Sequence, residues 1–143
     1  MTLLLIHATA TLYMTGLIWF VQVVHYPLMA RVGAEGYPAY QAAHERLTTW
    51  VVGPPMLIEL VSAVWLIFAH PEGVSVWMIY AGLALVAILW LSTAFLQVPQ
   101  HRKLEKGFDP AVHRWLAQSN WLRTVGWSLR AVLALLMISA GTQ

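Results

Sequence analysis

Three histidines and one glutamate are the residues of this sequence best suited to chemistry. Imidazole and carboxylate groups together bind iron, zinc, copper or manganese. The four residues come from distant segments of the chain, and no local motif such as His-x-x-His or Glu-x-x-His joins any two of them. One interpretation is therefore a transition-metal site assembled by the fold, with the ligands His25, His44, Glu59 and His101.

A second interpretation needs no metal. A histidine can remove a proton from a substrate, while an amide or guanidinium group stabilises the oxyanion that develops. A histidine base with Arg123 or Arg130 as the anion partner suits the deprotonation of a phenol or an enol. The candidate catalytic residues are His101 and His25 as bases, with Asn120 and Arg123 as partners of the oxyanion. The sequence alone leaves both interpretations open.

Amide and aromatic side chains near these groups are candidates for binding a substrate. The chain contains eight tryptophans and five tyrosines, whose rings can stack on an aromatic molecule. Tryptophans near the ends of membrane spans also act as interfacial anchors, so composition does not separate the two uses. The candidate substrate-binding residues are Gln22, Gln97, Trp127 and Tyr40.

Composition indicates that membrane helices must position these side chains. Hydrophobic residues make up 59% of the chain and charged residues 10%, whereas soluble domains carry about 25% charged residues. The 143 residues are enough for one domain, and the absence of cysteine excludes disulfides and thiolate sites. A span needs roughly 20 apolar residues. This predicts four spans, at about residues 2–25, 50–69, 74–98 and 120–140.

Two connections between the spans are long and one is short. In the first long connection, Tyr37-Pro38 predicts a helix start, and Tyr40, His44 and Leu47 then recur at helical spacing. The predicted fold class is therefore all-α: an integral membrane four-helix bundle with a short amphipathic capping helix.

Two charged residues lie within the predicted spans. Glu59 is in the second span and Arg130 is in the fourth. An ionisable side chain in a bilayer costs about 2.5–3.5 kcal/mol on insertion scales, so it normally faces the bundle and has a partner. We expect an intramembrane ion pair between Glu59 and Arg130, either as a structural lock or as the charged floor of a site.

The basic residues predict the orientation of the chain. All lysines and arginines except Arg130 belong to the two long connections and their flanks, whereas the termini and the short turn hold none. The positive-inside rule then predicts cytoplasmic long loops and both termini outside, in the cell inner membrane. The seven basic residues are Arg31, Arg46, Arg102, Lys103, Lys106, Arg114 and Arg123.

Two short motifs in the second half suggest a family. The stretch 93–101, which contains Val98-Pro99, and the segment Asn120-Trp-Leu-Arg-Thr124 at the start of the last span resemble the anthrone-oxygenase-like family of small membrane proteins. The resemblance covers about residues 90–140, and span one matches more loosely. It singles out Val98, Pro99, His101, Asn120, Arg123 and Thr124, although most relatives are expected to have Asn where this chain has His101.

The resemblance implies oxidation of an anthrone to an anthraquinone by molecular oxygen, without a recruited organic cofactor. We therefore expect a membrane-embedded oxidoreductase or oxygenase-like protein that acts on a small apolar or aromatic substrate, in the cytoplasmic half of the bundle. The alternative from another class is a metal- or haem-binding membrane subunit, or a transport component, without catalysis.

The expected partners are the lipid bilayer, a small apolar ligand and, as an open alternative, further copies of this chain. No basic run with interleaved aromatic residues indicates nucleic acid. A histidine/carboxylate-bound transition metal is the one cofactor that the residues suggest. The roles of His7, His70 and His113 are unassigned by the sequence.

Overall fold

The computed structural model describes residues 1–142. Within that range the chain forms four long helices: α1 (Thr2–Met29), α2 (Tyr37–Ala69), α3 (Val76–Leu104) and α4 (Pro110–Ala140). The helices contain 28, 33, 29 and 31 residues. At 1.5 Å per residue each is longer than the hydrocarbon core of about 30 Å. The chain is a multi-pass membrane protein with an all-α four-helix bundle, as its composition predicts.

The two connections that the sequence predicts to be long are largely helical. Only residues 30–36 and 105–109 separate α1 from α2 and α3 from α4. The predicted capping helix is present as the first turns of α2, continuous with the second span rather than separate from it. The reason is local: Pro38 lies in the first turn of α2, where its missing N–H costs no hydrogen bond, so the helix starts early and continues.

The helices pack as a ring in chain order. Helix α1 packs mainly against α2 and α4, and α3 packs against the same two helices. Helices α3 and α4 approach closely at Gly126, where an added Cβ would lie 2.8 Å from the side chain of Leu89. A small residue is therefore required at this crossing.

Two helices contain a π-helical turn near the same end of the bundle. These turns are Val21–His25 in α1 and Thr93–Gln97 in α3, and each is followed at the second position by a proline, Pro27 or Pro99. Proline has no N–H to donate and its ring crowds the preceding carbonyl, so the backbone widens locally instead of breaking. Turns of this kind occur frequently at functional sites.

The centre of the bundle contains a network of hydrogen-bonded polar side chains, which we call the charged lock. Its members are His7, Thr11, Glu59, Ser62, Trp127 and Arg130, all of them buried. The predicted ion pair is present, with Arg130 Nε 2.8 Å from Glu59 Oε1. The remaining hydrogen bonds to the carboxylate come from Thr11 Oγ1 at 2.8 Å and Trp127 Nε1 at 3.0 Å.

The other side of Arg130 connects the lock to the remaining helices. One terminal nitrogen donates to the backbone carbonyl of Gly82 in α3, and the other donates to His7 Nε2 at 3.1 Å. His7 then carries its hydrogen on Nδ1 and donates it to Ser62 Oγ at 2.7 Å. All four helices thus contribute to one network that satisfies both charges. Apolar clusters enclose it on both sides, one around Leu66 and Met137 and the other around Met14 and Met56.

We predict that Arg130→Met destabilises the protein by about 3–5 kcal/mol, because it leaves the Glu59 carboxylate buried without a counter-charge. The free energy of unfolding in mixed detergent micelles measures the loss. The double variant Glu59→Gln/Arg130→Met should recover a large part of it. Arg114→Met, an exposed arginine of the same helix, is the control. Equal stability of Arg130→Met and Arg114→Met would contradict the assignment of the lock.

Candidate functional site

A pocket of about 420 Å³ lies next to the charged lock, among α1, α2 and α3. This volume is within the range of small-molecule sites. Its body is apolar, formed in part by Met14, Ile18, Val52, Met56 and Val98. One region of the wall is polar and is lined by His44, Gln97, His101 and Arg123, with Tyr26 beside them. An apolar cavity with a few polar groups is the usual form of a site for a small ligand.

The π-helical turns bring polar groups to this pocket. Gln97 ends the turn in α3, Tyr26 directly follows the turn in α1, and both line the cavity. His101 lies four residues after Gln97, one helical turn further along α3. The proline-induced distortions are therefore located where a binding site needs its polar residues.

His101 is held by hydrogen bonds on both ring nitrogens. The Gln41 amide nitrogen lies 2.9 Å from His101 Nδ1 and also 2.9 Å from Glu45 Oε1, which can only accept. His101 Nδ1 is therefore an acceptor, and the ring hydrogen lies on Nε2, 3.3 Å from the Tyr26 hydroxyl oxygen. The hydrogen of the Tyr26 hydroxyl then remains free for a ligand.

Arg123 is a buried cation with no anionic partner among residues 1–142. Its side chain is on α4, only 7% of the residue is exposed, and it lines the pocket. One terminal nitrogen donates to Asn120 Oδ1 at 3.1 Å, and the guanidinium lies 5.1 Å from the ring centre of Trp127. Its Nε has no hydrogen-bond partner. The salt bridge between Arg130 and Glu59 is the one found in residues 1–142, so no carboxylate neutralises Arg123.

Two further polar atoms at the pocket are buried without partners. Gln97 donates from Nε2 to Ser119 Oγ at 3.1 Å, but its Oε1 has no partner. Trp90 Nε1, on the same helix, also has none. Buried polar groups are normally hydrogen-bonded, so each unsatisfied group requires an explanation. Since Gln97, Trp90 and Arg123 all line one cavity, a ligand in that cavity is a common explanation.

Three histidines are stacked beside the pocket. The ring centres of His25 and His44 are 4.5 Å apart, and those of His44 and His101 are 5.2 Å apart. The predicted association of these three residues from different helices is therefore present. His44 and His101 line the pocket, whereas His25 and Tyr40 pack behind His44 and are not among the lining residues.

The predicted four-ligand metal site is not assembled. Glu59 lies about four turns beyond His44 on α2, roughly 22 Å away, and its carboxylate is bound by Arg130 in the charged lock. Within the described residues, no group of three or more histidine, aspartate or glutamate side chains has the geometry to hold a metal ion. The helical continuity of α2 separates the carboxylate from the histidines, and this corrects the prediction that the four share a centre and that Glu59 forms the floor of the site.

Three other predicted site residues lie outside the pocket. Asn120 receives a hydrogen bond from Arg123 and donates to Gln22 Oε1 at 2.9 Å. The Gln22 amide nitrogen donates to the Ala117 carbonyl at 3.1 Å, and Trp127 is fully buried beneath Arg123. These side chains use their polar groups within the protein. Asn120 and Trp127 therefore position Arg123 rather than contact a ligand directly.

The structure also assigns residues that sequence reasoning missed. His7 belongs to the charged lock, and His113 is buried with Nε2 2.9 Å from the Tyr26 carbonyl. His70 is exposed at the turn after α2. Tyr26 and Gln41 bind His101, and for Gln41 the sequence offers only its helical spacing from His44, which is not specific. These contacts join residues 60 to 123 positions apart, so local patterns do not reveal them.

Comparison with known proteins gives no further constraint, since no protein-family model, curated protein or solved structure matches this chain. The resemblance to the anthrone-oxygenase-like family remains a prediction from short motifs.

We predict that His101 is neutral, with its hydrogen on Nε2, because Gln41 donates to Nδ1. Two-dimensional ¹H–¹⁵N correlation spectra of histidine-labelled protein in micelles distinguish the two tautomers. Gln41→Leu should shift His101 towards a mixture, whereas Gln118→Leu, at an exposed position of α4, should leave it unchanged. Protonation on Nδ1 in the unmodified protein would contradict the hydrogen-bond assignment.

Proposed function

We propose that this protein is a membrane oxidoreductase that acts on a small aromatic molecule bound in the pocket among α1, α2 and α3. The observation that carries the proposal is a single cavity that combines an apolar body with several polar groups that have no hydrogen-bond partner. These groups belong to Gln97, Trp90 and Arg123. An apolar ring would occupy the body of the pocket. Its oxygen substituent would lie at the polar region, where it would accept hydrogen bonds from Arg123 Nε and the Tyr26 hydroxyl.

The proposed reaction uses molecular oxygen, which the resemblance to the anthrone-oxygenase-like family suggests. In such a reaction a ring CH₂ group and O₂ give a ring carbonyl and water. Two C–H bonds break, one oxygen atom enters the new C=O bond, and the other leaves as water. The CH₂ carbon loses four electrons and O₂ gains four, so no further reductant is needed.

His44 is the best-placed base for removing the first proton. Both ring nitrogens of His101 are engaged with Gln41 and Tyr26, so that ring is not free to accept a proton. His44 lines the same pocket, and its Nδ1 lies 3.1 Å from the Thr48 hydroxyl. In the tautomer that carries its hydrogen on Nδ1 and donates it to Thr48, His44 has a free lone pair on Nε2, and this is the tautomer that the proposed role requires. The catalytic role that the sequence suggests for His101 is thereby transferred to His44, and His101 positions Tyr26.

A second function, ligand binding without catalysis, is favoured by one observation. His101 is held in place by hydrogen bonds on both ring nitrogens, to Gln41 and to Tyr26. A carrier or a binding subunit requires only such a preorganised pocket. The two functions differ in whether a bound aromatic molecule is consumed.

The proposed setting is the cell inner membrane, with the 30–36 and 105–109 connections in the cytoplasm and both termini outside. Five basic residues support this orientation, since they lie within or next to those two connections: Arg31, Arg102, Lys103, Lys106 and Arg114. The exposed apolar surfaces of all four helices contact lipid.

We predict that Gly53→Leu abolishes binding and turnover of anthrone without unfolding the protein. Gly53 lines the pocket, and no other group lies within 4 Å of an added Cβ, so the new side chain would fill the cavity. Gly16→Leu is the matched control, because Gly16 is also helical with open space around it but lies outside the pocket lining. Equilibrium dialysis against protein-free micelles measures binding, and an oxygen electrode with anthraquinone absorbance measures turnover.

His44→Gln should retain anthrone binding and lower turnover by about 10²–10⁴-fold, the usual contribution of a general base. Binding with no oxygen uptake by the unmodified protein would favour the carrier function over the enzyme. Unchanged turnover in both Gly53→Leu and His44→Gln would exclude this pocket as the site.

The orientation is tested with single cysteines, since the chain has none of its own. We predict that Glu72→Cys, in the short turn, reacts with a membrane-impermeant maleimide in right-side-out vesicles. Glu35→Cys and Lys106→Cys, in the other two connections, should react only after the vesicles are permeabilised. The reverse pattern would mean that the basic connections face outward.

A further inference from the structure

The chain has two buried arginines on α4, and only one of them is neutralised. Arg130 pairs with Glu59 at 2.8 Å, whereas Arg123, two turns earlier, has no carboxylate partner within residues 1–142. Both side chains are almost inaccessible, with 2% and 7% of the residues exposed. In this bundle a buried arginine is accommodated at Arg130 by pairing with a carboxylate. The corresponding carboxylate is missing at Arg123 in the part of the chain that the structure describes.

An uncompensated buried charge is costly. Arginine does not lose its proton in proteins, so burial cannot neutralise it as it neutralises a histidine or a lysine. The neutral Asn120 oxygen and the ring of Trp127 give partial stabilisation only. Burial of a cation is tolerated when an anion pairs with it.

The unpartnered atom of Arg123 is located at a cavity. Arg123 lines the pocket and its Nε has no hydrogen-bond acceptor. Gln97, 2% exposed, lines the same pocket and has its amide oxygen unpaired. Among residues 1–142, Glu45 is the one carboxylate that lines this cavity; its Oε1 accepts from Gln41, and it forms no salt bridge with Arg123. No anion among the described residues therefore pairs with Arg123, and a bound ligand can supply one.

We propose that the pocket binds its ligand as an anion, with Arg123 as the counter-ion. The ligand class is an apolar molecule, small enough for about 420 Å³, that carries one negatively charged oxygen group such as a carboxylate or a phenolate. The apolar body lies against the Met14 and Met56 side of the pocket, and the anionic oxygen accepts from Arg123 Nε. This inference rests on the proposed function, because it assigns a charge to the molecule bound at that site.

The test uses three aromatic probes of nearly equal shape and different charge: 2-naphthoate, 2-naphthamide and 2-naphthamidine. Equilibrium dialysis against protein-free micelles gives the binding constant of each for the purified protein. We expect naphthoate to bind about 10- to 100-fold more tightly than the neutral amide, as charge-assisted hydrogen bonding implies. The cationic amidine should bind more weakly than the amide.

Variants identify the residue that causes the preference for naphthoate over naphthamide. Arg123→Met should bind the acid and the amide about equally, and Arg123→Lys should retain a preference for the acid. Arg102→Gln removes the exposed arginine that also lines the pocket and should retain the preference. Arg114→Met, on the same helix as Arg123 but outside the pocket lining, is the control for total charge.

Anionic lipid headgroups offer the same chemistry as a free carboxylate. Repeating the naphthoate titration with phosphatidylglycerol or phosphatidylcholine in the micelles separates the two sources. If phosphatidylglycerol weakens naphthoate binding and phosphatidylcholine does not, the bound anion is a lipid headgroup. If neither lipid changes the titration, the bound anion is a free small molecule.

Equal binding of the three probes by the unmodified protein would overturn the proposal and leave the aromatic pocket intact. Loss of the preference in Arg102→Gln but not in Arg123→Met would also overturn it. No binding of any probe, together with no anthrone binding, would overturn both the anion proposal and the proposed function. The comparison of probes on the unmodified protein decides the matter even if Arg123→Met fails to fold.

Discussion

The ion pair between Glu59 and Arg130 is the constraint around which this bundle is organised. Neither charge can reach water from the centre of the bundle, so each must be satisfied by other parts of the protein. Satisfying them requires Thr11 and His7 from α1, Trp127 from α4 and a backbone carbonyl of α3 at Gly82. The register of all four helices is thus fixed by one network. A membrane bundle needs such specific contacts because lipid supplies no hydrophobic force to hold its helices together.

The pocket depends on the same lock. Trp127 donates to Glu59 and supports Arg123 on its ring, so the position of the unpaired arginine follows from the position of the paired one. Met56, which lines the pocket, is three residues before Glu59 on α2. The two clusters have opposite character: every polar group we find in the lock has a partner within the protein, whereas the pocket retains several without one. That difference separates a structural network from a candidate binding site.

The π-helical turns in α1 and α3 also help to form the pocket. Proline at positions 27 and 99 forces a wider turn in α1 and in α3, and the affected residues lie at the pocket. The sequence shows the prolines but not their effect, because a proline in a membrane helix produces a kink, a π turn or a break according to what surrounds it. The stacking of His25, His44 and His101 has a similar origin, since it requires three helices to meet at one level.

The sequence by itself determined the membrane environment, the four spans and the pairing of Glu59 with Arg130. The length of an apolar segment determines whether it can span the bilayer, and a charge inside such a segment is costly unless it is paired. Both effects are large and do not depend on how the neighbouring helices are arranged. Tertiary structure decided that Glu59 and His44 belong to different clusters, that Asn120 faces Arg123 rather than the cavity, and that Arg123 lacks an anion. Those facts depend on the rotation and register of each helix, which packing between helices fixes and no single segment encodes.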